Sequence, residues 1–399
     1  MERILLPDLM EPLLPPPGSR RLEDLAVELI ARNASLAGKI SKETVGAVSK
    51  LVRSMNCYYS NLIEGHNTHP VDIERALNGE YSKEPAKRNL QLEAFAHIEV
   101  QALIDSGDVE LSRITSWNYI SWLHKEFCKR LPEELLTSRD PEAKKEVQVL
   151  PGALRSDEVI VGNHLAPVAC ELPKFLALFE RRYNAVELSA LMRVIAVPAA
   201  HHRLLWIHPF VDGNGRVARL FSHAFLKTIG AGSGLWSTSR GLARNVSEYK
   251  ERLAGADRWR EHDTDGRGSL SLAGLIEFCE FFLTTCIDQV KFMETLLEPG
   301  MLTERVREYC AKQVQIKALP RGSFELLREL ILSGSVARAR VPSITNYQER
   351  QSRTIVSELI KRGLLQSEST RAELRLHIPY NVVESWFPRL YPPLQPGAL

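Results

Sequence analysis

Residues 208–219 read HPFVDGNGRVAR, a polar, glycine-rich turn that runs straight into the best-patterned helix of the chain. Past position 213, Val217, Leu220, Phe221, Ala224, Phe225 and Thr228 recur at steps of three and four, and Gly230 closes the run. Gly213, Asn214 and Gly215 tolerate unusual backbone angles at the start of that helix. Free N–H groups and the positive dipole end make such a start an anion site suited to phosphates. Arg216 and Arg219 lie three apart on one helix face, so both guanidinium forks can address one polyphosphate. Asp212 is the hard oxygen ligand that a nucleotide-bound Mg²⁺ takes. His208 stands just before the loop, within reach of a hydroxyl to be deprotonated.

Upstream, residues 188–206 are apolar and helical in pattern, with Pro198 expected to kink or split them. Residues 146–162, EVQVLPGALRSDEVIVG, hold two short β-branched runs around Pro151-Gly152 and predict a hairpin leaning on helices. Further back, Ser41 is the expected N-cap of a long helix that ends at Gly65, with Val45, Val48, Val52, Met55, Tyr59 and Leu62 on its buried stripe. Arg53, Asn56, Ser60 and Glu64 form the polar stripe beside it. Glu64 falls in the last turn, where the helix dipole disfavours a carboxylate by roughly 0.3–1 kcal/mol.

Beyond Pro299-Gly300 a different unit begins. Ser323 is read as the cap of FELLRELILSG, VPSITNY as a short helix or turn, and QERQSRTIVSELIKRG as a helix with Ile355, Val356, Leu359 and Ile360 inward. LLQSESTRAELRLHI then alternates like a strand pair. Three helices followed by a small hairpin is winged-helix order, with Arg350, Gln351 and Arg353 where a DNA reader places base contacts.

The 399 residues suffice for two or three cores, and 51 basic against 49 acidic residues leave no global field for nucleic acid or a membrane surface. Six scattered cysteines without a CxxC pair are expected to be reduced thiols of a cytoplasmic protein. Prolines interrupt the region where a signal peptide would need an apolar run, and no membrane span is expected. HDTDGRGSLS at 262–271 alternates acidic residues before a glycine, yet Gly274 stands where a calcium loop beginning at Asp263 needs its bidentate Glu, so a turn is expected. His201 and His202 are expected to be hydrogen-bonded core groups.

HPFVDGNGRVAR resembles, at every defined position, the HPFx[D/E]GNGRxxR signature of the Fic-domain family. That resemblance implies a mainly α fold, a Fic-type helical bundle with a β-hairpin flap, and transfer of AMP from ATP to a Tyr, Ser or Thr hydroxyl of a protein. It implies His208 as general base, Asp212 as the Mg²⁺ ligand, Gly213, Asn214 and Gly215 as the phosphate cradle, and Arg216 and Arg219 as phosphate partners. The flap would hold the target segment as an added strand. NVSEYK at 245–250 resembles the segment lining the nucleoside pocket, which implies Asn245 and Tyr249 there; Lys250 stands where many relatives carry a second aromatic. Ser60, Glu64 and Gly65 match the [S/T]xxxE[G/N] pattern by which relatives inhibit themselves, so Glu64 is expected to pair with Arg219 and Ser60 to steady the contact.

The resulting expectation is an N-terminal helical region at 1–110 with the inhibitory helix at about 41–65, and a Fic core at 111–298 with the flap at about 145–162. A winged-helix domain at 301–385 and a Pro-rich tail at 386–399 complete it. Alternatives are removal of AMP, transfer from another nucleotide, or a nucleotide-sensing transcriptional regulator that binds DNA. A homodimer is compatible with the resemblance. A phosphorylating branch of the family carries Lys in the GNGR segment, and Gly215-Arg216 argue against it.

Overall fold

The computed structural model describes residues 4–139, 146–162 and 164–392. Its first helices are α1 (Arg20–Gly38), α2 (Lys42–Ile63), α3 (Pro70–Leu77), α4 (Pro85–Ser106) and α5 (Trp117–Cys128). Four short strands follow, β1 (Thr137–Arg139), β2 (Glu146–Gln148), β3 (Ile160–Val161) and β4 (His164–Leu165). Then come α6 (Leu172–Arg182), α7 (Ala190–Ile207), α8 (Asn214–Thr228), α9 (Thr238–Arg244), α10 (Val246–Asp257) and α11 (Leu272–Leu296). The last elements are α12 (Pro299–Gln315), α13 (Ser323–Ser333), β5 (Ser335–Val336), α14 (Val341–Thr345), α15 (Glu349–Lys361), β6 (Leu365–Gln366), β7 (Leu374–Leu376) and α16 (Tyr380–Trp386). The chain forms two compact units: Met1–Asn33, Asn56–Ser233 and Ser237–Gln289 in one, and Ala34–Met55, Gly234–Trp236 and Val290–Leu399 in the other.

In the first unit α7 and α8 pack together, because α7 is mostly apolar around its circumference and its few polar side chains, His201, His202 and Arg203, are buried with hydrogen-bond partners. Val194 to Ala200 are all buried, and α7 continues through Pro198 without the split expected there. Enclosure supplies packing on both sides of the missing hydrogen bond, which offsets the loss. α8 follows its pattern: Val217, Leu220, Phe221, Ala224 and Phe225 are buried, and Gly230 ends it at φ +74°. Truncating a ring such as Phe221 to Ala would cost about 3–5 kcal/mol. His201 and His202 are core groups as expected, with His201 Nε2 2.8 Å from the Tyr249 hydroxyl and His202 Nε2 3.1 Å from the Leu253 carbonyl oxygen.

The strands correct the sequence reading. The two β-branched runs do not pair with each other across Pro151-Gly152. β2 pairs antiparallel with β1, Ser138 opposite Val147, while β3 pairs with β4, Ile160 opposite Leu165. Pro151-Gly152 does turn the chain, with Ala153 N donating to the Leu150 carbonyl. Its Gly152 N–H, however, is taken by His124 Nδ1 and its carbonyl by Ser121 Oγ, which fixes the turn on α5 instead of closing a hairpin. Residue 145, at the front of the expected flap, lies outside the described residues, as do 140–144 before it.

The second unit contains a three-stranded antiparallel sheet of order β5-β7-β6 beside α13, α14 and α15. The strand pair and the three helices fall where expected, and β5 is an added strand. Ile355, Val356 and Leu359 are buried, whereas Ile360 is exposed, because the helix turns it off the apolar stripe. Gly322, at φ +89°, is the N-cap residue of α13 in place of Ser323, whose hydroxyl bonds back to the Pro320 carbonyl. In the same unit Ser41 caps α2 as expected, accepting from Thr44 N at 3.2 Å. Among the described residues all six cysteines are free thiols, no helix is long and apolar enough to cross a membrane, and 262–271 forms turns.

Candidate functional site

α7 ends in His208, whose backbone adopts φ 50° and ψ 62° while its N–H closes the helix on the Leu204 carbonyl. A left-handed angle is uncommon for a residue with a Cβ and is held here by its surroundings. Arg155 supplies that hold: its Nε donates to the His208 carbonyl at 2.8 Å, and its backbone N–H to the Pro209 carbonyl at 2.9 Å. The His208 imidazole Nδ1 faces the Leu205 carbonyl at 3.3 Å. With its proton on Nδ1, the ring presents the Nε2 lone pair as an acceptor. Burial pushes this imidazole down to about 4, so it is neutral at physiological pH.

Phe210 pins the loop to the core. It is fully buried and stacks on His124 with centroids 3.9 Å apart and planes 7° off parallel, with Trp117 stacked at 5.5 Å. His124 Nε2 lies 3.2 Å from the Asp212 carbonyl oxygen, and burial lowers its imidazole to about 4. Asn214 ties the loop across itself: its Oδ1 accepts from Phe210 N at 3.0 Å and its Nδ2 donates to the Phe210 carbonyl at 2.9 Å. Gly213 takes φ +82° at the N-cap of α8, an angle that favours glycine.

The helix start therefore presents backbone donors in a loop that cannot drift.

Asp212 is exposed, with Oδ1 accepting from Gly213 N at 2.6 Å and Oδ2 3.8 Å from Arg216 Nη2. Among the described residues no cluster of three or more His, Cys, Asp or Glu side chains is built to cage a metal. One solvent-facing carboxylate beside a helix N-terminus is nevertheless compatible with Mg²⁺, which takes one or two carboxylates and fills its shell with phosphate and water.

The two arginines are both buried and are held by different carboxylates. Arg219 Nη2 donates to Glu64 Oε1 at 2.5 Å and to the Ser60 carbonyl at 3.1 Å, while its Nε donates to Ser60 Oγ at 2.8 Å. The Glu64–Arg219 contact expected from sequence is thus present, and Ser60, fully buried, supplies two of the bonds. Glu64 comes from the end of α2, which closes on Gly65 at φ +86° with His66 N donating to the Asn61 carbonyl at 2.9 Å. Burial works to raise the Glu64 carboxyl, and the Arg219 guanidinium outweighs it and holds it below its ordinary value. A Cβ built on Gly215 would collide with Glu64 Oε1, so the carboxylate lies against the first turn of α8 itself.

Arg216 instead meets Glu93 of α4 through its Nη1, with its guanidinium over the Phe127 ring at 5.2 Å from the centroid. Glu93 Oε2 lies 2.8 Å from His66 Nδ1. A cavity of about 170 Å³ opens here, with apolar walls from Phe127, Leu131 and Val149 and a charged end of Glu93, Asp212 and Arg216. Sequence reasoning named neither Glu93, His66 nor His124. His124 had a signal, being on the apolar face set by Ile120, Leu123 and Phe127; a single acidic residue within α4 and a histidine past a helix end had none.

The two residues expected at the nucleoside pocket differ in exposure. Asn245 is exposed at the junction of α9 and α10, but Tyr249 is 3% exposed with its hydroxyl on His201, and burial raises it above the ordinary phenol range. Tyr249 is a buried core group and not an open wall, because the apolar α7 and α11 draw its ring inward against Phe278.

The site is thus a glycine-containing turn between two buried helices, with a neutral histidine before it and two buried arginines, each held by a carboxylate, after it. Residues 114–226 match the sequence model of the Fic/DOC family. The protein adenylyltransferase Fic of Drosophila melanogaster is 40% identical over 79 residues, which make up 20% of this chain and 16% of that protein. Its counterpart in Drosophila erecta is 39% identical over the same length. The chain thus matches about a sixth of the length of these curated relatives. A Fic family protein from Desulfovibrio desulfuricans shares the fold, with a TM-score of 0.50 at 16% identity over 89% of this chain and 96% of that one.

Proposed function

We propose that this chain is a self-inhibited protein adenylyltransferase that moves AMP from ATP to a Tyr, Ser or Thr hydroxyl of a protein target, itself included. The observation that carries the reading is the neutral His208, held at the mouth of a phosphate cradle whose second arginine is occupied by Glu64. The acceptor oxygen attacks the α-phosphorus as His208 Nε2 takes the hydroxyl proton. The bond to the bridging oxygen breaks, and diphosphate leaves. N–H groups of the Gly213–Gly215 turn stabilise the charge that develops on the α-phosphate, and Arg216 and Arg219 receive the leaving diphosphate. Asp212 would hold Mg²⁺, which supplies further neutralisation of the phosphates.

Glu64 occupies Arg219 in the present arrangement, so that arginine is not offered to the terminal phosphate and ATP would sit in a pose unsuited to in-line attack. Support for the reaction type comes from the names of the fly relatives, whose match is confined to the domain. The test is incubation with α-labelled ATP and Mg²⁺. Label on the Glu64→Gly protein that vanishes when His208→Ala is added supports the reading; equal label with and without His208 overturns it.

We further read residues 301–385 as a winged-helix unit, from the order helix, strand, two helices and two strands closing a β5-β7-β6 sheet. On α15 Arg353 is paired with Glu349, and Arg362 at its C-cap is paired with Glu358, both at 2.8 Å. That pairing favours docking to protein over contact with phosphates. A gel shift of the full chain on duplex DNA that weakens steeply with salt would contradict this.

A further inference from the structure

Glu93 and Arg216 are 123 residues apart in sequence and meet as a buried pair, Glu93 at 4% and Arg216 at 7% exposure. Glu93 divides its carboxylate. Oε1 takes Arg216 Nη1, and Oε2 takes His66 Nδ1, which belongs to the second residue after Glu64. Arg216 spends only one nitrogen in this way. Its Nε is buried without a hydrogen-bond partner, and its Nη2 reaches Asp212 only at 3.8 Å. Arg219, by contrast, is bonded through both Nε and Nη2.

A buried guanidinium with unspent donors, fixed on one side and facing the end of a cavity beside Gly213 on the other, is set to receive an anion. Arginine carries several rotatable bonds, and an unheld one would have to be ordered each time a phosphate arrived. We propose that Glu93 is a positioning residue that keeps Arg216 aimed at the nucleotide phosphates, and that His66 holds Glu93 in place from the helix end that also carries Glu64. The inference rests on the adenylyl-transfer reading of the same site. Its consequence is a division of labour: Glu64 withholds Arg219, whereas Glu93 readies Arg216, so two carboxylates against two neighbouring arginines act with opposite sign.

The charges facing Glu93 are those of Arg216 and His66, and the Glu64 carboxylate acts electrostatically on both of those partners. Simple competition predicts the reverse of the proposal, because removing a carboxylate that competes with phosphate would tighten nucleotide binding. The experiment therefore places Glu93→Ala and Glu93→Gln in the Glu64→Gly background and measures ATP and adenosine affinity by calorimetry, together with transfer from α-labelled ATP. A positioning role predicts ATP binding weakened roughly tenfold, adenosine binding unchanged, kcat/KM lowered at least about 30-fold, and Gln intermediate because it still accepts a hydrogen bond.

Unchanged or tighter ATP binding overturns the proposal, as does an equal loss for ATP and adenosine, which would mark structural damage. Should the Glu64→Gly parent transfer nothing, the adenylyl-transfer reading falls, and the contrast between ATP and adenosine alone decides the role of Glu93.

Discussion

Glu64 Oε1 lies 2.5 Å from Arg219 Nη2, joining residues 155 positions apart beside Gly215 at the start of α8. The placement explains a carboxylate at the wrong end of a helix: the dipole disfavours it by roughly 0.3–1 kcal/mol, and a charge-assisted bond to a buried guanidinium more than offsets that. Removing the carboxylate leaves Arg219 with its Ser60 bonds and an unfilled place for a phosphate. Glu64→Gly is expected to raise AMP transfer at least about tenfold, the equivalent of 1.4 kcal/mol. Initial rates with labelled ATP check this, and a rate equal to wild type would remove Glu64 from regulation.

Gly215 gives a structural test of the same contact. A Cβ there collides with Glu64 Oε1, so Gly215→Ala should lower Tm by a few degrees in the wild-type chain, in line with overpacking costs of about 1–3 kcal/mol. In the Glu64→Gly background the collision is gone and the loss should shrink to under about half. Thermal melts of the four proteins of this cycle decide it, with strict additivity as the contrary result.

His208 is expected to act without waiting for a proton to leave. Its imidazole is held near 4 by burial, so the base form is full above about pH 6. Transfer by Glu64→Gly should be flat from about pH 6 to 8 and fall toward pH 4, while His208→Ala should lose at least about 100-fold. A rising limb centred near pH 7 would assign the base elsewhere.

His66 has the opposite sign. Its hydrogen bond to Glu93 raises the imidazole above 6.5 in the folded chain. The stabilisation is therefore full below the unfolded value and is lost as pH rises through the higher folded one. The Tm difference between wild type and His66→Ala should be larger at about pH 5.5 than at about pH 9. Because His66 is 41% exposed, the effect should be a small fraction of the total stability. A difference that grows with pH would contradict the pairing.

Much of this site was legible because its chemistry is contiguous. Twelve residues carry the turn, the proposed base and metal ligand and both arginines, and Ser60, Glu64 and Gly65 form a second local pattern. What stayed hidden depends on packing. Glu93 reaches Arg216 only because α4 lies beside α8, and nothing in either helix's own periodicity states that. The hairpin misread has a similar cause: strands of two and three residues carry too little pattern to choose a partner, and His124 captured the Pro151-Gly152 turn that looked like a hairpin loop. Tyr249 was placed by motif likeness, but the apolar demand of α7 and α11 governs where its ring lies.

Asp212 gives the metal prediction. Chelation by EDTA should abolish labelling, and Asp212→Asn should raise the Mg²⁺ concentration needed for half-maximal transfer roughly tenfold or more. Titration of the Glu64→Gly protein with MgCl₂ measures it; an unchanged requirement would place the metal on other groups.

The central claim is that the His208 turn transfers AMP and that Glu64 restrains it. Intact-mass spectrometry after exposure to ATP and Mg²⁺ tests both parts in one spectrum. The account predicts little or no adduct on wild type, one or more adenylyl additions on Glu64→Gly, and none once His208→Ala is combined with it. Absence of adduct on Glu64→Gly, with added lysate proteins also unmodified, or an adduct that survives loss of His208, would contradict it.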